Sequence, residues 1–176
     1  MTFGDWIEFV ESQPAAKRAR LLPATDEQNG LIALASRGGH WDFTFQPSSL
    51  RYRVAVGTPL RYPERTALAT QDWTRFPVSG VTPSEIAQFA DWLSVRRGIH
   101  ARLCRESEWE RAARGADGRS FALGERVDPQ QANYDRTYGR RPGGFGPDAV
   151  GSHPASVSPF GLNDMQGNAR EVVLSE

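Results

Sequence analysis

Residues 116–160 constrain this chain more than any other feature, being 45 residues rich in Gly, Pro, Asp and Ser. Neither an alternating nor a helical spacing of apolar residues runs through them, so the segment reads as loop. A loop-rich stretch of that length inside a compact domain needs something to fix it, such as a metal ion or a binding role. Disorder is excluded by the five Trp, nine Phe and four Tyr of the sequence, which a chain without a core would not carry.

The 176 residues match one domain with a substantial core. Twenty-one basic residues balance 21 acidic ones, which gives no electrostatic footprint for nucleic acid or an anionic membrane. The arginines are scattered, and Lys17 is the sole lysine. One cysteine, Cys104, excludes an internal disulfide, a Cys-rich zinc cage and chemistry needing two thiols from these residues. Cys104 is expected to be a small buried hydrophobe. Asp5, Glu8 and Glu11 are wrong for a secretory n-region, and the apolar run Leu31 to Ala35 is far too short to span a bilayer. The expected location is the cytoplasm.

Thr2 is placed to cap a helix from Phe3 to about Glu11, with Trp6, Ile7, Phe9 and Val10 as its apolar surface. A second short helix or connector follows Pro14. Residues 29–45 read as two strands around Arg37, Gly38 and Gly39, with His40, Trp41 and Phe43 as core or interface residues. Residues 50–56 alternate again, and residues 59–77 form a proline-punctuated loop. Thr82-Pro83-Ser84-Glu85 is a strong helix start, and Ile86, Phe89, Ala90 and Leu93 recur at helical spacing until Gly98. Another helix spans about Glu106 to Arg114. Trp92 with Arg96 and Arg97 reads as a core aromatic beside solvated arginines, not as a base-stacking platform.

Phosphate loops, dinucleotide-binding glycine motifs, HExxH and nucleophile elbows are all missing from the sequence. His40, His100 and His153 lie too far apart in sequence to define a metal site. No catalytic and no organic cofactor-binding residue is named from these patterns.

Four ordered elements nonetheless carry a resemblance. Residues 77–115 (PVSGVTPSEIAQFADWLSVRRGIHARLCRESEWERAARG), Gln131-Ala132-Asn133-Tyr134, Val150-Gly151-Ser152 and residues 160–171 (FGLNDMQGNARE) together resemble the formylglycine-generating enzyme, or sulfatase-modifying factor, family. The opening TFGDWIEFV is similar to domain starts in that family, notably those fused behind bacterial protein kinases. The resemblance implies an α+β fold, the C-type lectin-like variant of this family, with little regular secondary structure and long loops. It implies a single domain over residues 1–176, truncated or completed by another chain.

Calcium is the cofactor the resemblance implies, as a means of ordering loops. By the same token Asn133, the backbone at Tyr134 and Asp148 stand at one metal position, and Asn168 with Glu171 at a second. Active relatives oxidise a substrate cysteine with oxygen, using a copper-binding cysteine pair that residues 1–176 do not contain. Arg170 and Val172 replace two family tryptophans, Cys104-Arg105 replaces a Pro-Thr helix start, and Leu123 replaces a third Trp. The function expected is therefore non-catalytic binding or scaffolding, with a protein partner or a complementary C-terminal fragment, and neither nucleic acid nor membrane. The alternatives are part of a formylglycine-generating or related copper- and oxygen-dependent oxidase whose cysteine pair lies elsewhere, and an accessory or sensory domain of a bacterial kinase.

Overall fold

A computed structural model describes residues 1–26, 28, 30–122 and 124–175. Helix α1 (Phe3–Ser12) begins where the sequence places it: the Thr2 hydroxyl accepts the Asp5 N–H at 3.1 Å, and Asp5 returns the bond to the Thr2 N–H at 2.8 Å. Both bonds satisfy donors that a helix start leaves open. Phe3, Trp6, Phe9 and Val10 are all buried by this helix. A four-residue helix, α2 (Ala15–Arg18), follows Pro14 and runs into a 3-10 turn ending at Leu21.

The main sheet is antiparallel, in the order β1 (Ala24–Thr25), β2 (Ile32–Arg37), β3 (His40–Phe45), β4 (Tyr52–Ala55). The β2–β3 hairpin pairs Arg37 with His40 and Ile32 with Phe45. Its period of two sends Trp41, Phe43 and Phe45 into the core while Asp42 and Thr44 face the other side. His40 departs from the core or interface expectation: it sits at the hairpin tip beside the Gly38–Gly39 turn and is exposed.

Residues 59–77, read as loop, contain a two-stranded ladder of β5 (Leu60–Arg61) and β6 (Thr70–Gln71), then a 3-10 turn at Trp73–Arg75. Two-residue strands carry no periodicity, so the sequence could not announce them. The capping box at Thr82 and Glu85 starts α3 (Pro83–Arg97), which ends at Gly98. Its Trp92 packs on Phe9 and Phe89, and Arg96 lies over the Trp92 ring and pairs with Glu8 of α1. The last helix is α4 (Glu106–Arg114). Lacking a hydroxyl cap, it keeps one half of a capping arrangement, the Glu108 carboxylate accepting the Arg105 N–H at 2.8 Å.

The core is aromatic and belongs to the first 90 residues. Phe43 stacks on Trp73 at 5.0 Å and on Phe45 at 5.1 Å, and Trp6 stacks on Phe89 at 5.7 Å. Trp6 also donates its indole N–H to the Leu21 carbonyl at 2.8 Å. Among the described residues, the buried hydrophobic side chains beyond α3 are all alanines: Ala113, Ala122, Ala132 and Ala149. Apolar burial therefore holds the first half of the fold, and polar contacts must hold the second. Leu123 lies outside the described residues.

Candidate functional site

Those polar contacts centre on Asp148, whose side chain is fully buried. Its Oδ1 accepts from Arg65 Nη1 at 2.5 Å and from Gln71 Nε2 at 2.8 Å. Its Oδ2 accepts from the Tyr138 hydroxyl at 2.7 Å and lies 2.8 Å from His153 Nε2. The Arg65 side chain is also fully buried. Its guanidinium lies between the Tyr62 and Tyr138 rings, 3.5 and 3.8 Å from their centroids. Burial pushes the Tyr62 and Tyr138 hydroxyls well above the ordinary phenol range, and the Asp148 carboxylate adds to the effect. Both phenols thus stay protonated as donors.

Three residues expected at metal positions meet beside this cluster. Asn168 accepts the Asp148 N–H at 2.8 Å through Oδ1 and donates Nδ2 to the Asp148 carbonyl at 3.1 Å. Its own N–H reaches the Asn133 carbonyl at 2.7 Å. Asn133 Nδ2 donates to the Gly146 carbonyl at 2.9 Å and to Asn168 Oδ1 at 3.3 Å. Asn168 is thereby joined to Asn133 and Asp148 instead of to Glu171. The Glu171 carboxylate accepts the Trp109 indole N–H of α4, and the Tyr134 carbonyl accepts the Thr137 N–H at 3.1 Å.

Calcium takes six to eight oxygen ligands at about 2.3–2.6 Å. Here the Asn133 and Tyr134 carbonyls, both Asp148 oxygens, Asn168 Oδ1 and one Glu171 oxygen already receive donors within the protein. The donor sets placed at Asn133, Tyr134 and Asp148 and at Asn168 and Glu171 do not fit the ion in this arrangement. Gln166 Oε1 nearby in sequence is buried without a donor, but one oxygen is not a coordination sphere. Among the described residues there is no group of three or more His, Cys, Asp and Glu side chains placed to hold a metal.

The second feature is a groove of about 1350 Å³. Its lining includes the buried core residues Phe3, Phe43 and Phe45 and the half-buried Ile32. Trp109 and Ala112 of α4, with Leu162 and Val172, also line it. Arg102 and Glu108, also in the lining, form an ion pair at 2.6 Å. The Arg102 hydrogen bond, joined by the Arg105 N–H, holds the exposed Glu108 carboxyl down at about 2. At the lip Leu174 forms a single parallel bridge with Arg105, its N–H on the Cys104 carbonyl at 2.9 Å and its carbonyl on the Glu106 N–H at 3.0 Å. Cys104 lines this groove and is half-buried, which corrects its expected place in the core: the backbone bridge puts it at a lip.

A sulfatase-modifying factor enzyme 1-like domain model matches residues 2–176. The chain belongs to the sulfatase-modifying factor family. No curated protein matches it significantly. Membership agrees with the α+β architecture of helices and antiparallel sheets, and among the described residues no helix is long and apolar enough to cross a membrane.

Within this family member, the run around Gly167 and Asn168 serves to join two loops, and Val172 stands at the groove with 40% of its surface exposed. Sequence reasoning missed Arg65, Gln71, Tyr138 and His153. Arg65 lies in a stretch with no periodicity, shortly after Pro59 and Pro63, and nothing local distinguishes it from a surface arginine. A buried partner 83 residues away leaves no trace in one sequence.

Proposed function

We propose that this domain is a non-catalytic binding or scaffolding module, built on the C-type lectin-like variant of the family, that receives an extended polypeptide in the groove. The groove carries the reading. Its volume exceeds the roughly 300–1,000 Å³ of small-molecule pockets. Core aromatics are part of its lining, and Leu162 and Val172 of that lining remain 43% and 40% exposed. The one-residue bridge at Arg105 and Leu174 offers main-chain groups beside it that an added strand can prolong, with apolar side chains of that strand filling the groove at alternate positions. Two small antiparallel sheets, the helices α1, α3 and α4, and long loops support the lectin-like assignment.

The test is selection of a displayed random peptide library on the domain, followed by fluorescence titration of the enriched sequences. Peptides with alternating apolar residues are expected, and Ala112→Trp, which projects a large ring into the groove, weakens them at least tenfold. A library that yields no binder, or binders indifferent to Ala112→Trp, overturns the reading.

A further inference from the structure

We infer that the guanidinium of Arg65 is the cation that orders the loop over residues 142–150, so that this family member folds around its Asn133, Asp148 and Asn168 positions without calcium. The observation is convergence of oxygen. Arg65 Nε donates to the Gly144 carbonyl at 2.8 Å, Nη2 to the Gly146 carbonyl at 2.6 Å, and Nη1 to Asp148 Oδ1 at 2.5 Å. Two carbonyls and a carboxylate are hard oxygen donors of the type a calcium ion gathers. Here one organic cation, itself out of solvent, gathers them from a single loop.

The charge arithmetic supports the assignment. A buried carboxylate is costly without a countercharge, and Asp148 has one in Arg65. A rigid planar fork can serve three oxygens in fixed directions, and Tyr62 and Tyr138 hold the plane from both faces. Neighbouring bonds fasten the same loop: the Tyr62 hydroxyl donates to the Pro147 carbonyl at 2.8 Å, Glu64 accepts the Gly143 N–H at 2.5 Å, and Gln71 accepts the Ala149 N–H at 3.1 Å. All four side chains come from residues 62–71, the β5–β6 hairpin and its connector. The hairpin therefore acts as a clamp, and the loop it holds contributes Pro147 and Val150 to the groove lining.

Three measurements on the whole domain test this. Thermal unfolding of the protein as purified is compared in excess EDTA and in millimolar calcium chloride, and the two melting temperatures are expected to coincide. Calorimetric titration of the EDTA-treated protein with calcium alone is expected to show no binding heat. Arg65→Met, which keeps most of the length and removes the charge, lowers the melting temperature by roughly 10 °C, since breaking a buried pair from one side is strongly destabilising. Should Arg65→Met not fold, Asp148→Asn keeps the shape, removes the countercharge, and is expected to lower the melting temperature in the same direction. Calcium that raises the wild-type melting temperature by several degrees, or binding heat that disappears in Asn168→Ala, overturns the inference. So does an Arg65→Met or Asp148→Asn protein that melts with the wild type.

Discussion

Gly167→Ala is the substitution whose cost can be worked most fully from this structure. Gly167 has φ of +78°, a region L-residues enter at roughly 1–2 kcal/mol. An added Cβ would also lie well inside van der Waals contact distance of the Asn133 carbonyl oxygen and 3.1 Å from its carbonyl carbon. That contact is backbone, so no side chain can turn away. Relief requires separating residues 133 and 167, and that breaks the 2.7 Å bond from the Asn168 N–H to the Asn133 carbonyl. Losing a partly buried hydrogen bond costs about 1–3 kcal/mol. Together the two effects reach about 3 kcal/mol, or a fall in melting temperature of roughly 6–12 °C for a domain of this size. Gly139→Ala provides the control: φ is +76°, yet nothing lies within 4 Å of the added Cβ. It should show the backbone cost alone, about 1–2 kcal/mol. Urea unfolding of both variants reads the difference. Equal destabilisation by the two would refute the argument that Gly167 is required by close approach of the two loops.

Three further outcomes are expected. Trp6→Phe removes the indole bond to the Leu21 carbonyl and leaves a smaller ring against Phe89, so urea unfolding should show a loss of about 2–3 kcal/mol; a loss below about 0.5 kcal/mol would contradict the packing described. Thr82→Ala removes the cap of α3 and should cost about 1 kcal/mol, read as a drop of roughly 2–4 °C by circular dichroism; an unchanged melt counts against the cap. Glu108 titrates at about 2 when folded against an ordinary 4.5, so its stabilising pairing is complete above that ordinary value and is lost as pH falls through about 2. Glu108→Gln should therefore melt below the wild type near neutral pH and converge with it near pH 2; parallel curves over that range would deny the pairing.

Local chemistry made part of this fold legible and left the rest hidden. The helices at Phe3, Pro83 and Glu106 were visible because caps and apolar spacing act within a few residues. The β2–β3 hairpin was visible through the alternation of Trp41, Phe43 and Phe45 around two glycines. The β5–β6 ladder is too short for any period. The expected positions Asn133, Asp148 and Asn168 do come together, but the Asp148 carboxylate is satisfied by Arg65, Gln71, Tyr138 and His153, while Asn133 and Asn168 bond each other and the backbone of Gly146 and Asp148. Glu171 goes to Trp109, since α4 presents an indole N–H to it. Cys104 misled for a similar reason: its type suggests burial, while the bridge to Leu174 fixes its backbone at a lip.

The groove is the central claim, and amide hydrogen exchange with and without a selected peptide tests it most directly. Protection on binding should concentrate in residues 78–81, 102–106 and 162–174, which contribute the groove and its lip. Protection confined to residues 133–141, or to the exposed end of α3 around Val95, with the groove segments unchanged, would contradict it.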